Sequence, residues 1–147
     1  MKAQDYLKQL KMIDVMINNK IAEREHWFSI ACNTTAQYGG ERVQTSGSKQ
    51  RMADAIDKFV DMGEEINRKI DELCNKRKEI VETIEQLKSV TEYDLLFMVY
   101  VQYKTLQDVA DKHDRSYSWA TSAHGTALAH VQEILDERAE KNDGRTA

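Results

Sequence analysis

From Met52 to Leu87 the chain marks every fourth or third residue in strict alternation: Met52, Ile56, Phe59, Gly63, Ile66, Ile70, Leu73, Arg77, Ile80, Ile84 and Leu87. A repeat of 3.5 residues keeps one stripe of an α-helix facing a partner helix over many turns. The seam lasts five heptads and is interrupted only at Gly63 and Arg77. Flanking positions carry both charges, as in Lys58, Asp61, Glu64, Glu65, Lys69 and Glu72. The pattern predicts a coiled-coil helix on the order of 55 Å long, at about 1.5 Å per residue.

A looser stripe lies upstream. Leu7, Leu10, Ile17, Ile21, Phe28 and Ala31 fit one seam, Asp14 and Arg24 intervene, and Ile13 and Met16 broaden it. This predicts a helix from about Ala3 to Thr35 that pairs with the 52–87 seam. Between the two lies YGGERVQTSGSKQ, residues 38–50, the one stretch rich in Gly, Ser and Thr. It sets a loop at about 36–50. Two amphipathic helices joined by one such loop fold back antiparallel, so residues 1–88 read as a helical hairpin. Pairing the same seams between two chains would give a homodimer instead. The loop itself reads as a polar connector or as a partner-binding loop, with Arg42, Gln44, Ser46 and Lys49 beside small residues. It holds no GxxxxGK[ST] string, which argues against nucleotide binding.

Composition agrees with long helices and few loops. There is no proline, and charged residues make up 31% of the chain. No apolar run approaches the roughly 20 residues that span a bilayer, and the N-terminus lacks an apolar signal core. The expected setting is the cytoplasm, with no membrane partner. Cys32 and Cys74 stand far apart with no CxxC, and His124 and His130 are six residues apart, off a shared helix face. Neither a metal nor any other cofactor is implied, and the cysteines read as ordinary helix residues. No paired-carboxylate, Ser/His/Asp or Cys/His constellation and no glycine-rich phosphate cradle is present, so no enzyme is expected.

After Leu87 the punctuation changes. Ser89 with Glu92, or Thr91 with Asp94, makes a capping-box spacing that opens a helix over about Glu92–Gln102. Thr105 with Asp108 opens a short helix over Leu106–Lys112. A polar turn, His113-Asp114-Arg115, leads to Ser116, which caps a longer helix to about Glu137. Short helix, tight turn and longer helix is the spacing of a helix-turn-helix. Residues 89–138 therefore read as a three-helix module, followed by a flexible tail over 139–147.

With Val109-Ala110, Ser116, Ala120, Ala127 and Val131 at matching places, this segment resembles region 4 of bacterial sigma factors. The chain is also similar, over nearly its whole length, to a family of small phage and prophage proteins of unassigned or late-regulator function. The stretches AQDYLKQLKMIDVMINNKIAE, ERVQTSGSKQRMADAI and SYSWATSAHGTAL carry that likeness. The resemblance implies an all-α chain, a long antiparallel coiled-coil hairpin with a C-terminal helix-turn-helix, acting in a bacterial host cell. Two departures bear on mechanism: Thr126 stands where the sigma pattern favours a phosphate-contacting Arg, and Ala120 where it favours Val. Gly125 also sits inside the recognition helix, at a cost of about 1 kcal/mol relative to Ala.

A DNA-binding reading assigns base contacts to Tyr117, Ser118, Thr121 and Ser122, with His124 a turn further on, and phosphate contacts to Arg115, Lys104 and Lys112. The plain alternative for the same polar set is a solvated helix face. Trp119 either packs against the hairpin or faces outward as a contact. Charge sets a limit. Residues 91–147 hold 6 basic and 10 acidic side chains, the opposite of a strong independent DNA binder. Two functions follow. One is a transcription regulator that binds DNA together with host RNA polymerase. The other is a hairpin that captures and inhibits a host factor, the polymerase or a defence protein, with its helix-turn-helix repurposed.

Overall fold

The protein's structure, a computed structural model, describes residues 1–39 and 46–145. Its elements are all helical: α1 (Ala3–Gly39), α2 (Ser46–Glu85), α3 (Val90–Leu96) running into a π-helical turn (Phe97–Val101), α4 (Leu106–Lys112) and α5 (Tyr117–Arg145). Among the described residues no helix is long and apolar enough to cross a membrane. The chain divides into two compact units, residues 15–75 and residues 1–14 with 76–147. This division cuts through both long helices.

In the unit of residues 15–75, α1 and α2 meet where Arg24 lies beside Asn67 and Trp27 beside Phe59. Its core is thin. Of the heptad positions Ile66 and Leu73 are buried, Met52, Phe59 and Ile70 are half-buried, and Ile56 is exposed. Phe28, expected on the seam, is 71% exposed, and its neighbour Trp27 turns inward against Phe59 at 5.7 Å between ring centroids. A two-helix pair closes only one narrow seam, and the larger ring fills it.

The other unit holds most of the apolar core. Ala3, Leu7, Leu10 and Ile13 from α1 and Ile80 and Ile84 from α2 are buried, as are Leu95, Leu96, Met98, Tyr100, Val109, Ala110, Ala120, Ala127 and Val131. Two of the polar residues that interrupt the apolar stripes are partners here, since Arg77 Nε donates to Asp14 Oδ1 at 2.7 Å. Thr83 is fully buried and satisfied: it donates to the Glu79 carbonyl and accepts from Arg138 Nη1 at 2.8 Å. Gln132 of α5 accepts from the Ala3 backbone N–H at 2.8 Å.

Several boundaries differ from those predicted. Both long helices extend into the Gly/Ser-rich stretch, α1 to Gly39 and α2 from Ser46, so Ser46 and Lys49 belong to a helix. Helical hydrogen bonding is cooperative once nucleated, and an isolated glycine costs too little to stop it. Of the two capping alternatives Ser89 is the one used, its Oγ accepting from the Glu92 N–H at 3.3 Å. α5 continues past Glu137 to Arg145, so residues 139–145 are helical rather than a tail. No proline or capping string interrupts it.

Candidate nucleic-acid interface

Two helix starts and one turn set the geometry of α4 and α5. Thr105 and Asp108 form a complete capping box: the Asp108 N–H donates to Thr105 Oγ1 at 3.1 Å, and the Thr105 N–H to Asp108 Oδ2 at 3.0 Å. Those bonds, backbone first, hold the Asp108 carboxyl below its ordinary range. The chain then reverses through His113-Asp114-Arg115. Asp114 takes φ 52°, and the Arg115 N–H closes on the Ala110 carbonyl at 2.9 Å. Aspartate tolerates the left-handed region better than most residues, so it serves where a glycine often stands. Ser116 starts α5, its Oγ accepting from the Trp119 N–H at 3.1 Å.

The apolar side of this arrangement is closed. Val109 and Ala110 of α4 and Ala120, Ala127 and Val131 of α5 are all fully buried. The other side of α5 is open: Tyr117, Ser118, Thr121, Ser122, Gly125 and Thr126 are exposed. No Asp, Glu, Lys or Arg occurs from Tyr117 through Gln132. The face therefore offers hydroxyls and little else. Thr121 and Thr126 donate back to the carbonyls of Tyr117 and Ser122, both at 3.1 Å, which leaves these two oxygens chiefly as acceptors. A Cβ on Gly125 would meet nothing within 4 Å, so packing inside the chain does not call for a glycine there.

His124 belongs to a different environment. It is half-buried, its ring stacked on Tyr100 at 5.8 Å, with Nε2 2.8 Å from the Tyr100 hydroxyl. Burial lowers its pKa and raises that of Tyr100. His124 thus braces α5 against the π-helical turn. Tyr100 had no mark in the sequence beyond its apolar periodicity.

The cations divide as well. Arg115 is exposed, its guanidinium 5.7 Å over the Trp119 ring, and Trp119 also lies against His113. Trp119 is thereby half-buried within the turn itself, a third outcome beside the two expected. Lys112 donates to both Asp94 oxygens at 2.9 Å and His113 Nε2 lies 2.9 Å from one of them. Burial pushes the Asp94 carboxyl up, but these two partners hold it below its ordinary value. Lys112 is thus exposed and paired with Asp94 at the surface. Lys104 is exposed. Of the expected partner loop, Arg42, Gln44 and the side chain of Ser46 lie outside the described residues, while Lys49 is exposed on α2.

Two further surfaces accompany these. In the unit of residues 15–75 an apolar groove of about 780 Å³ is lined by Trp27, Phe28, Ile56, Phe59, Val60 and Gly63, among others, with Val60 53% exposed. In the other unit an opening of about 400 Å³ lies among Leu7, Lys8, Lys11, Val99, Tyr100, Tyr103 and Lys104. Among the described residues no group of three His, Cys, Asp or Glu side chains is placed to hold a metal ion. Cys32 and Cys74 are both exposed thiols.

A family model described as "Protein of unknown function (DUF1492)" matches residues 33–129, about two thirds of the chain and the whole of α2 to α4. No curated protein and no solved structure matches the chain significantly.

Proposed function

The chain belongs to the DUF1492 family of proteins of unknown function, and we propose that it is a non-catalytic transcription regulator of phage or prophage type. In this reading α4, the turn and α5 form a helix-turn-helix like that of sigma region 4, carried on a long antiparallel helical hairpin. The α5 face enters the major groove together with host RNA polymerase. One observation carries the reading. α5 keeps its apolar residues against α4 and turns outward an uncharged face of Tyr117, Ser118, Thr121 and Ser122. Hydroxyls donate or accept at base edges, and an uncharged face meets no repulsion from DNA. With Lys112 held by Asp94, phosphate contacts near the turn fall to Arg115 and Lys104. So small a basic footprint is why the reading includes polymerase as a source of affinity.

The test is a mobility-shift titration on promoter DNA with and without polymerase, using the full chain and a Tyr117→Ala/Ser118→Ala/Thr121→Ala variant. The reading expects a supershifted ternary complex that the variant loses while its helical circular dichroism is unchanged. A variant that shifts DNA as well as the parent overturns it.

A second reading is favoured by a separate observation. The groove around Phe28, Ile56 and Val60 exposes large apolar side chains that a water-facing helix pair has no need of. Under this reading the groove takes an amphipathic helix of a host protein, as helix-in-groove recognition does. Phe28→Asp would then abolish activity that the α5 variant retains.

A further inference from the structure

We propose that Lys8, Lys11 and Lys104 form a second nucleic-acid contact, a cleft that grips the phosphate backbone of the DNA whose bases α5 reads. The inference rests on the DNA-binding reading above and supplies part of the cation that the C-terminal segment lacks. Lys8 and Lys11 are three residues apart, hence on one face of α1. The third lysine arrives from the far end of the sequence by a defined route. The π-helical turn ends at Val101, Tyr103 two residues on takes a φ of 59° that swings the chain over, and the Lys104 N–H is fixed on the Met98 carbonyl at 2.8 Å. Lys8, Lys11 and Lys104 then line one opening of about 400 Å³ together with Leu7, Val99, Tyr100 and Tyr103.

Three like charges around one small opening repel one another unless an anion joins them. Among the described residues none of the three forms an ion pair. Asp14 is held by Arg77 and by the Tyr103 hydroxyl, and Asp108 by the Thr105 cap, although it also lies within reach of the Lys104 charge. The cleft adjoins the base-reading helix, because Tyr100 lines it while its hydroxyl holds His124 of α5. The half-exposed Tyr103 ring gives the sugar-phosphate chain an apolar edge, and lysines on flexible stems suit phosphate as point charges.

The experiment measures binding of the full-length protein to a duplex of about 30 base pairs, with and without polymerase, across a salt series. It compares the wild type, Lys8→Gln/Lys11→Gln/Lys104→Gln, and an equal charge removal elsewhere, Lys58→Gln/Lys69→Gln/Lys76→Gln. At about 0.9 per phosphate contact, the cleft variant should flatten the slope of log affinity against log salt by roughly two to three. The control variant should leave the slope alone. Equal flattening in both variants overturns the proposal in favour of diffuse charge. An unchanged slope in the cleft variant, with binding still lost in the α5 triple variant, overturns the cleft while leaving the DNA-binding reading in place. A wild-type protein that binds no duplex under either condition overturns both. Lysine-dependent binding to anionic lipid vesicles in place of duplex overturns both as well.

Discussion

His124 and His130 stand on the same helix six residues apart, and acid acts on them in opposite directions. His124 is half-buried against Tyr100, so its folded-state pKa lies below the unfolded value. As pH falls, the unfolded chain takes up this proton first, and stability is lost. His130 bonds Glu92 at 2.7 Å, and first that bond and then the carboxylate charge raise its pKa. Its contribution is complete below the unfolded value and fades as pH rises through the folded one. Urea midpoints at pH 7.5 and 5.5 separate the two. His124→Gln should reduce the loss of stability on acidification, and His130→Gln should enlarge it. The same direction of change in both variants would contradict these placements. Neither role was legible in the sequence, where both residues are polar letters in an uncharged run, because each is defined by a partner 24 or 38 positions away.

At the scale of the element, local signals proved readable and compensated irregularities did not. The Thr105-x-x-Asp108 spacing is a complete capping box in the structure, and α4 has the predicted bounds Leu106–Lys112. Thr105→Ala should cost about 1 kcal/mol in chemical denaturation, and Thr105→Ser much less. By contrast nothing in Phe97–Val101 announces a π-helical turn. Tyr103 adopts φ 59° without being Gly, Asn or Asp. What holds it is tertiary: its hydroxyl donates to Asp14, and burial, that bond and the Asp14 charge push its pKa up to about 12. Gly125 separates the demands of the helix from those of a partner. A Cβ there has open space, so Gly125→Ala should stabilise the protein by up to about 1 kcal/mol. If α5 lies in a DNA groove, the same substitution should weaken DNA binding, because the added methyl stands on the contacting face. Unchanged affinity in the stabilised variant would place Gly125 away from the contact.

At the scale of the whole molecule, the heptads and the missing prolines made the all-helical class legible from the start. They did not show where the core would be deep. The repeat runs evenly to Leu87, yet full burial gathers at Ile80 and Ile84, while Ile56 faces water and Phe28 gives way to Trp27. Periodicity records which residues share a face, not what covers that face. The proposed contact residues were half legible for the same reason. Tyr117, Ser118, Thr121 and Ser122 followed from the spacing and do lie exposed on α5. The pairing of Lys112 with Asp94, and the meeting of Lys8, Lys11 and Lys104 around one opening, join residues as many as 96 positions apart.

The central claim is that the outward face of α5 touches DNA, and proximity crosslinking tests it most directly. A photoreactive residue is placed at Ser118 in one protein and at Phe28 in another, and each is irradiated with promoter DNA and polymerase. The account predicts a DNA adduct from position 118 that an excess of unlabelled promoter removes. No DNA adduct from position 118, with position 28 alone joined to the polymerase, would contradict it and leave the apolar groove as the working surface.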